Sequence, residues 1–196
     1  MKTICVILAG GKSRRMGRDK AMLPLGNQTF LSRLISEYSI RFSVYVSVGT
    51  AGKFPCPGAE ELVDLRPGAG PLAGLEAAFS QTDADAVFLT ATDLPCGSVE
   101  LANHLLKELG EADACVICRR DGKPEPTFGV YRRNCQKAVK MLLDEDQRTF
   151  RTLFDRIHVR WLYEKELAEF PLEQLLQNIN TPEEYEKLQR FCQNDQ

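Results

Sequence analysis

The fold is decided by a glycine-rich, cationic stretch near the beginning of the chain, Leu8-Ala9-Gly10-Gly11-Lys12-Ser13-Arg14-Arg15-Met16-Gly17. It follows directly on a β-rich apolar run and combines backbone without side chains, a hydroxyl group and three cations. Glycines let consecutive backbone N–H groups converge on phosphate oxygens, and lysine and arginine neutralise those oxygens. The stretch therefore predicts a phosphate-binding loop after a buried strand, with Lys20 as a further cation.

Part of this stretch imitates a P-loop. Gly11-Lys12-Ser13 matches the end of that motif, but the motif requires another glycine five residues before Gly11, where this chain has Val6. The kinase or GTPase interpretation thereby loses its main support.

A second glycine motif is the formal support for a dinucleotide-binding protein. Residues Gly68–Ala73 fit the pattern G-x-G-x-x-A between a strand and a helix. That fingerprint normally opens the first βαβ unit, whereas here it follows an earlier glycine loop. A tight turn with Pro71 near the first position of a helix explains Gly68 and Gly70 about as well.

Short β-rich runs alternate with amphipathic stretches along the chain. This alternation favours an α/β fold with a mostly parallel central sheet and helices on both faces. We predict strands at Thr3–Leu8, Val44–Val48, Glu61–Leu65, Ala86–Thr90, Ala114–Arg119 and Thr127–Tyr131. We predict helices at Thr29–Tyr38, Pro71–Gln81, Ser98–Leu109 and Asn134–Leu143, and a last helix that Thr181, Pro182 and Glu184 begin with a capping box and that ends near Phe191.

Composition limits the class of partner and the compartment. The 25 basic and 27 acidic residues give a formal charge of −2, so no overall field attracts nucleic acid or an anionic membrane. The seven cysteines are an odd number scattered mostly through apolar stretches, which is typical of a reducing cytoplasm. The apolar run Ile4–Ala9 is too short for a signal peptide, and no segment is long enough to span a bilayer. We therefore expect a cytoplasmic protein with neither nucleic-acid nor membrane partners.

Two aspartates lie at the ends of predicted strands. In open α/β sheets, ligands bind beyond the carboxyl ends of the strands. A carboxylate such as Asp93, after the buried run Ala86–Thr90, can hold Mg²⁺ there; the alternative is a turn residue before Leu94. Asp64 can accept hydrogen bonds from a ribose or a base, or can cap the turn at Gly68.

Other residues with chemical potential carry weaker signals. Cys115 and Cys118 have redox or zinc spacing, but no second pair accompanies them and both lie in a predicted strand, so core packing is favoured. His104 and His158 are isolated, and structural roles are favoured for both.

Five segments, in order and spacing, resemble the molybdenum cofactor guanylyltransferases: Leu8–Lys20, Asp64 with Pro71–Leu75, Thr92–Pro95, Glu125–Tyr131 and Asn178–Pro182. The resemblance covers nearly the whole chain and implies a single domain of Rossmann-like nucleotidyltransferase architecture over residues 1–196. A nucleotide-binding half would span about 1–97 and an acceptor-binding half about 98–196. Where family members can have an asparagine near the end of the second strand, this chain has Ser47–Thr50.

The resemblance also implies a reaction and a set of site residues. GTP and molybdenum-carrying molybdopterin would give the guanine dinucleotide cofactor and pyrophosphate, with Mg²⁺ as cofactor. The residues that would bind the nucleotide are Leu8, Ala9, Gly10, Gly11, Lys20, Asp64 and Asp93. Lys20, Arg15 and Asp93 would be catalytic, and Asp93 would bind the metal. Gly129, Arg132, Asn178 and Asn180 would hold the acceptor. Proteins that deliver the molybdenum cofactor, or apo-molybdoenzymes, are the expected protein partners.

Two other functions fit the same residues. A cytidylyltransferase, or another transferase of this fold, would use the same loop and metal with a different base and acceptor. A non-catalytic nucleotide sensor would bind GTP and release no pyrophosphate; the pairing of Lys20 with Asp93 argues against it, because binding alone does not require a metal carboxylate opposite a phosphate lysine.

Overall fold

The computed structural model describes residues 1–10 and 19–194. Nine strands and seven α-helices lie in these ranges. The strands are β1 (Thr3–Leu8), β2 (Pro24–Leu25), β3 (Gln28–Thr29), β4 (Ser43–Val48), β5 (Glu60–Val63), β6 (Ala86–Ala91), β7 (Ala114–Cys118), β8 (Pro124–Arg132) and β9 (Val159–Tyr163). The helices are α1 (Phe30–Ser39), α2 (Pro71–Gln81), α3 (Val99–Glu108), α4 (Cys135–Asp144), α5 (Phe150–Phe154), α6 (Leu172–Leu175) and α7 (Pro182–Asn194).

Seven strands form one sheet in the order β5-β4-β1-β6-β8-β7-β9. In this sheet β8 runs antiparallel to both of its neighbours, and the other recorded pairings are parallel. The short strands β2 and β3 form a separate hairpin. The prediction of an α/β fold with a mostly parallel sheet is therefore confirmed.

Helices cover both faces of the sheet. One apolar cluster contains buried residues of α1 and α3, and the other contains buried residues of α2, α4 and α5. All six residues of β6 are buried, as in a central strand that is covered on both faces. Because β1 lies between β4 and β6, the crossovers through α1 and α2 diverge to opposite faces, and the carboxyl end of β1 faces a crevice.

Local sequence signals account for the helix boundaries. Thr29, Ser98 and Thr149 are N-caps whose side chains accept hydrogen bonds from the backbone three residues later. At α7 the Thr181 N–H donates to Glu184 and the Glu184 N–H donates to Thr181, which confirms the predicted capping box.

Some elements differ from the sequence prediction. The third predicted strand ends at Val63 rather than Leu65: the Asp64 N–H donates the last bond of the ladder to the Val48 carbonyl, and the recorded pairing with β4 does not continue beyond Val63. The β2–β3 hairpin, α5, α6 and β9 were not predicted. The first three are two to five residues long, too short for a periodic pattern. Strand β9 pairs only with β7, and its half-buried side chains lack a clear alternation.

The cysteine pair lies in the sheet, as predicted. Both thiols are free. Cys115 is fully buried in the cluster that contains Ile117, whereas Val116 lies in the opposite cluster. Packing therefore explains Cys115, whose burial raises the pKa of its thiol to about 12. In the described part of the chain, no helix is long and apolar enough to cross a membrane.

Candidate active site

A cleft of about 760 Å³ lies at the carboxyl ends of β1, β4 and β6. Side chains and backbone from both sides of the β1 crevice line it. Its lining includes Leu8, Gly10, Lys20, Ser47, Gly49, Thr50, Lys53, Asp64, Pro67, Gly68, Gly70, Pro71, Ala91, Thr92, Asp93 and Thr127. The sequence-predicted residues Leu8, Gly10, Lys20, Asp64 and Asp93 thus lie together. Ala9 is buried beside them, while Gly11 and Arg15 fall outside the described residues.

The end of β1 is fixed by its neighbours. The Ala9 N–H donates to the Ser47 carbonyl at 3.0 Å, and the Leu8 carbonyl accepts from the Thr92 N–H at 3.1 Å. These bonds continue the parallel ladders past the last residues of β1, so Gly10 leaves the sheet at a defined position. A ligand in the cleft would therefore meet a rigid floor.

Asp64 is held beside Gly10 by a serine. The Ser47 hydroxyl, only 2% exposed, donates to Asp64 Oδ1 at 2.7 Å. A Cβ atom placed on Gly10 would lie 3.5 Å from Asp64 Oδ2, so the second carboxylate oxygen faces the glycine loop. Burial raises the pKa of the Asp64 carboxyl, and the bond from Ser47 opposes that rise. Asp64 is therefore a positioned, partly desolvated hydrogen-bond acceptor.

The position of Ser47 depends on a glycine in α2. A Cβ atom on Gly74 would approach Leu8 Cδ2 to 2.3 Å and Ser47 Oγ to 2.8 Å. Real Cβ atoms do not tolerate such contacts, so the helix can pack this closely on β1 and β4 only with glycine at this position. Gly70, with φ of 82°, provides the N-cap, and Pro71 is near the first position of α2. The interpretation of Gly68–Pro71 as a turn into a helix is confirmed.

Asp93 lies two residues beyond β6 and carries an unpaired oxygen. Its backbone carbonyl accepts from the Ile179 N–H at 2.8 Å, which fixes the turn. Its Oδ1 atom is buried without a hydrogen-bond donor among the described residues. Burial raises the pKa of this carboxyl, and the positive charge of Lys20 opposes the rise. The negative charge on such a buried carboxylate oxygen is not compensated by a protein donor, as expected where a ligand completes the site.

Lys20 begins a 3-10 turn, Lys20–Met22, that Asp19 caps. Its ammonium group donates to Asn180 Oδ1 at 2.7 Å. Asn180 is itself fixed, because its N–H donates to Glu184 Oε2 at 2.6 Å. The lysine is therefore directed by a residue 160 positions away in the chain, and its charge acts on Asp93.

Two predicted acceptor residues lie elsewhere. Arg132 ends β8 opposite Ala86, at the far end of β6 from the cleft, where its guanidinium donates to the Ala112 and Gly110 carbonyls. Gly129 pairs with Leu89 inside the sheet, and a Cβ there would lie 3.2 Å from the Cys115 carbonyl. Neither residue lines the cleft, because β8 runs antiparallel to β6 and Arg132 lies at the opposite end of the strand while Gly129 lies within the sheet.

Three cleft residues were not recognised from the sequence. Ser47 was noted only for the absence of an asparagine near it. Lys53 forms an ion pair with Asp19 at 2.8 Å and adds a second cation, but it lies in a loop without a motif. The sequence predicts a regular strand that includes Thr127, whereas the pairing of β8 with β7 is irregular there. A lysine in a loop after a strand that ends at the crevice is the signal that could have indicated Lys53.

Comparison with known proteins identifies the family of this chain. Residues 5–161 match the family model of the MobA-like NTP transferase domain. A protein of Carboxydothermus hydrogenoformans named "Probable molybdenum cofactor guanylyltransferase" is 33% identical over 183 residues, which cover 93% of this chain and 92% of the relative.

Solved structures agree on the fold. The molybdopterin-guanine dinucleotide biosynthesis protein A of Archaeoglobus fulgidus superposes with a TM-score of 0.84 at 24% identity, covering 99% of this chain and 100% of that one. The 2-C-methyl-D-erythritol 4-phosphate cytidylyltransferase of Thermus thermophilus gives a TM-score of 0.74 at 16% identity, over 98% and 100% of the two chains. Likeness at these identities indicates a shared architecture, on which different acceptors can be used. The family match and the curated relative go further: the chain belongs to the MobA-like NTP transferases, and it is a nucleotidyltransferase of the molybdenum cofactor guanylyltransferase family.

Proposed function

We propose that the protein transfers GMP from GTP to the phosphate of molybdenum-carrying molybdopterin, with Mg²⁺, and releases pyrophosphate. The observation that carries the proposal is the convergence of Asp64, Asp93 and Lys20 on one cleft at the carboxyl ends of β1, β4 and β6. Their chemistry suits three parts of a nucleotide substrate: a hydrogen-bond acceptor for the nucleoside, an anionic metal ligand, and a cation for phosphate.

The nucleoside would lie over Gly10 and against Asp64. Asp64 Oδ1 is occupied by Ser47, whereas Oδ2 faces the glycine loop. A carboxylate held in this way accepts hydrogen bonds from ribose hydroxyls or from the N–H groups of guanine. The phosphates would then extend toward Lys20, with Gly11 and Arg15 as the proposed contacts from the adjacent loop.

The residues present fit Mg²⁺ at Asp93. Its Oδ1 atom is buried without a donor, which is the state expected of an oxygen that binds a cation. Among residues 1–10 and 19–194, no three histidine, cysteine, aspartate or glutamate side chains form a metal-binding group. Mg²⁺ would accordingly take one ligand from Asp93 and others from substrate phosphates and water, as is usual for this ion. When bound, it neutralises charge on the phosphate oxygens.

The chain's own residues position an in-line displacement. An oxygen of the acceptor phosphate forms a bond to the α-phosphorus of GTP, the bond from that phosphorus to the bridging oxygen breaks, and pyrophosphate leaves. The attacking phosphate is already ionised, so no general base is required. Lys20, directed by Asn180, stabilises the charge that develops on the phosphoryl oxygens.

A preference for GTP over ATP, CTP and UTP is the first expected result. A site that hydrogen-bonds one base edge leaves buried polar groups unpaired with another base, which lowers kcat/KM by about 10²-fold or more. Pyrophosphate release is measured with each nucleotide triphosphate in the presence of molybdopterin. A preference for CTP would indicate a cytidylyltransferase. If none of the four nucleotides gave pyrophosphate, the protein would be a nucleotide sensor. Either result would contradict the proposal.

Ser47→Ala tests the placement of Asp64. Loss of a hydrogen bond to a charged group, worth about 1.5 kcal/mol or more, is expected to weaken GTP binding roughly tenfold. Ser43→Ala is the matched control, because Ser43 is an exposed serine at the beginning of the same strand. GTP affinity is measured by calorimetry. Equal affinities of the two variants for GTP would indicate that Asp64 does not belong to the nucleotide site.

The cellular setting follows from the same proposal. We propose a cytoplasmic enzyme, since the six cysteines whose side chains the structure describes are free, as in a reducing compartment. Its protein partners would be those that supply molybdopterin or receive the dinucleotide cofactor.

A further inference from the structure

Strand β8 is irregular where it borders the cleft. Val116 of β7 pairs with Gly129, but the next residue, Ile117, pairs with Glu125. Residues 126–128 are therefore extra residues between two consecutive partners. Such bulges redirect side chains and occur frequently beside active sites.

The bulge is held from behind by the core. The Tyr131 hydroxyl donates to the Pro126 carbonyl at 2.7 Å. Phe128 is fully buried, edge-on to Phe88 with ring centres 5.0 Å apart. Thr127 is the residue of the bulge that lines the cleft. Its position is thus set by a rigid support and not by a free loop.

A buried carboxylate fixes the Thr127 hydroxyl. Glu125 is 8% exposed, and its Oε1 accepts from the Thr127 hydroxyl at 2.9 Å. Its Oε2 accepts from the Asn178 side-chain amide at 3.3 Å and lies 3.9 Å from the Arg119 guanidinium. Burial raises the pKa of Glu125, as does the charge of Asp93, and the bonds from Thr127 and Asn178 oppose the rise. The Thr127 hydroxyl is the donor in its bond to Glu125, and an ionised carboxylate offers only acceptors.

This arrangement determines what Thr127 offers to a ligand. With its hydrogen directed at Glu125, the hydroxyl oxygen presents lone pairs, so it can accept a hydrogen bond from the cleft. The charge of Glu125, buried behind the hydroxyl, disfavours an anion at this end. Among the residues that the structure describes, the cations lining the cleft are Lys20 and Lys53. The Thr127 end therefore suits a neutral group with N–H donors, and the lysines suit phosphate.

We propose that Thr127 binds the N–H donor edge of the acceptor's ring, and that Glu125 is the positioning residue that holds the threonine oxygen in accepting orientation. The inference rests on the proposed function, in which the acceptor is a pterin. A pterin carries an amino group beside a ring N–H, and its phosphate would be drawn toward the lysines. On this proposal, the residues that bind the acceptor ring differ from those that bind GTP.

Thr127→Val retains the shape of the side chain and removes the accepting oxygen. The KM for molybdopterin is expected to rise about tenfold, which corresponds to one lost hydrogen bond, while the KM for GTP stays within about twofold. Glu125→Gln should raise the acceptor KM in the same way, because an amide can donate to Thr127 and reverse its hydroxyl. Thr82→Val, which removes a hydroxyl that donates to the Ala78 carbonyl at the end of α2, and Glu186→Gln, an exposed position on α7, are the matched controls.

Free pterin and lumazine provide an independent comparison, since lumazine has a carbonyl oxygen in place of the amino group. Pterin is expected to inhibit the wild-type enzyme more strongly than lumazine, and Thr127→Val should abolish the difference. An unchanged acceptor KM in Thr127→Val, an equal rise in the KM for GTP, or equal inhibition by the two rings would overturn the inference. Failure of the wild-type enzyme to transfer GMP to molybdopterin would instead overturn the proposed function.

Discussion

Replacing Asp93 with asparagine is expected to lower the rate of GMP transfer by about 10³-fold, the loss of roughly 4 kcal/mol of transition-state stabilisation. The amide retains the size of the side chain and removes its charge. Oδ1 of Asp93 is buried without a donor among the described residues, and no group of three potential metal-binding side chains lies among those residues to hold the ion instead. GTP should still bind, because Gly10, Asp64 and Lys20 do not depend on this charge.

The stability of this variant should change in the opposite direction to its activity. Burial raises the pKa of Asp93, so above its titration range the ionised form lowers the free energy of unfolding. Asparagine removes that cost, and the melting temperature at pH 7 should be unchanged or higher. A functional group that is unfavourable for the fold is common at active sites.

Pyrophosphate release and GTP affinity are measured across a Mg²⁺ series, with thermal unfolding in parallel. Asp155→Asn, an exposed position after α5, is the control for the same chemical change. Turnover of Asp93→Asn near the wild-type rate at ordinary Mg²⁺ would reduce Asp93 to a turn residue. Asp64 would then be the next candidate for the metal.

The part of the cleft that we assign to the nucleotide could be located from the sequence because its signals are local. Asp64 and Asp93 each follow a strand within two residues, and Leu8–Gly10 continue β1. In a parallel sheet the carboxyl ends of neighbouring strands meet at one edge, so the order of elements alone brings these residues together. Ser47 escaped notice because its role depends on the absence of a side chain at Gly74 in another element.

The part of the cleft that we assign to the acceptor could not be located from the sequence in this way. Prediction treated Thr127–Tyr131 as a regular strand, which gives no reason to separate Thr127 from Gly129. The antiparallel course of β8 and the three extra residues before Gly129 leave Thr127 at the cleft and carry Arg132 to the opposite end. Strand direction and bulges depend on long-range pairing, and a single sequence contains little information about either.

Lys20→Ala is expected to lower kcat/KM by about 10²- to 10³-fold, with a fall in kcat and a rise in the KM for GTP together. The ammonium group can meet phosphate oxygens both in the bound substrate and in the transition state, so its removal affects both parameters. The loss also reaches Asp93, because the charge of Lys20 holds down the pKa that burial raises. Without that charge the pKa of Asp93 rises further, and the acidic limb of the pH–rate profile should move to higher pH.

The displacement of the acidic limb of the pH–rate profile distinguishes a lysine that binds phosphate from one with a structural role only. If Lys20 served only to anchor Asn180 through its 2.7 Å hydrogen bond, Asn180→Ala would reproduce the kinetic loss without displacing the acidic limb. Lys140→Ala, an exposed position on α4, controls for the loss of one surface charge. Wild-type kinetics in Lys20→Ala would make this residue a solvated cation at the edge of the cleft. A fall in kcat/KM with a displaced acidic limb would place its charge beside both Asp93 and the transferred phosphoryl group.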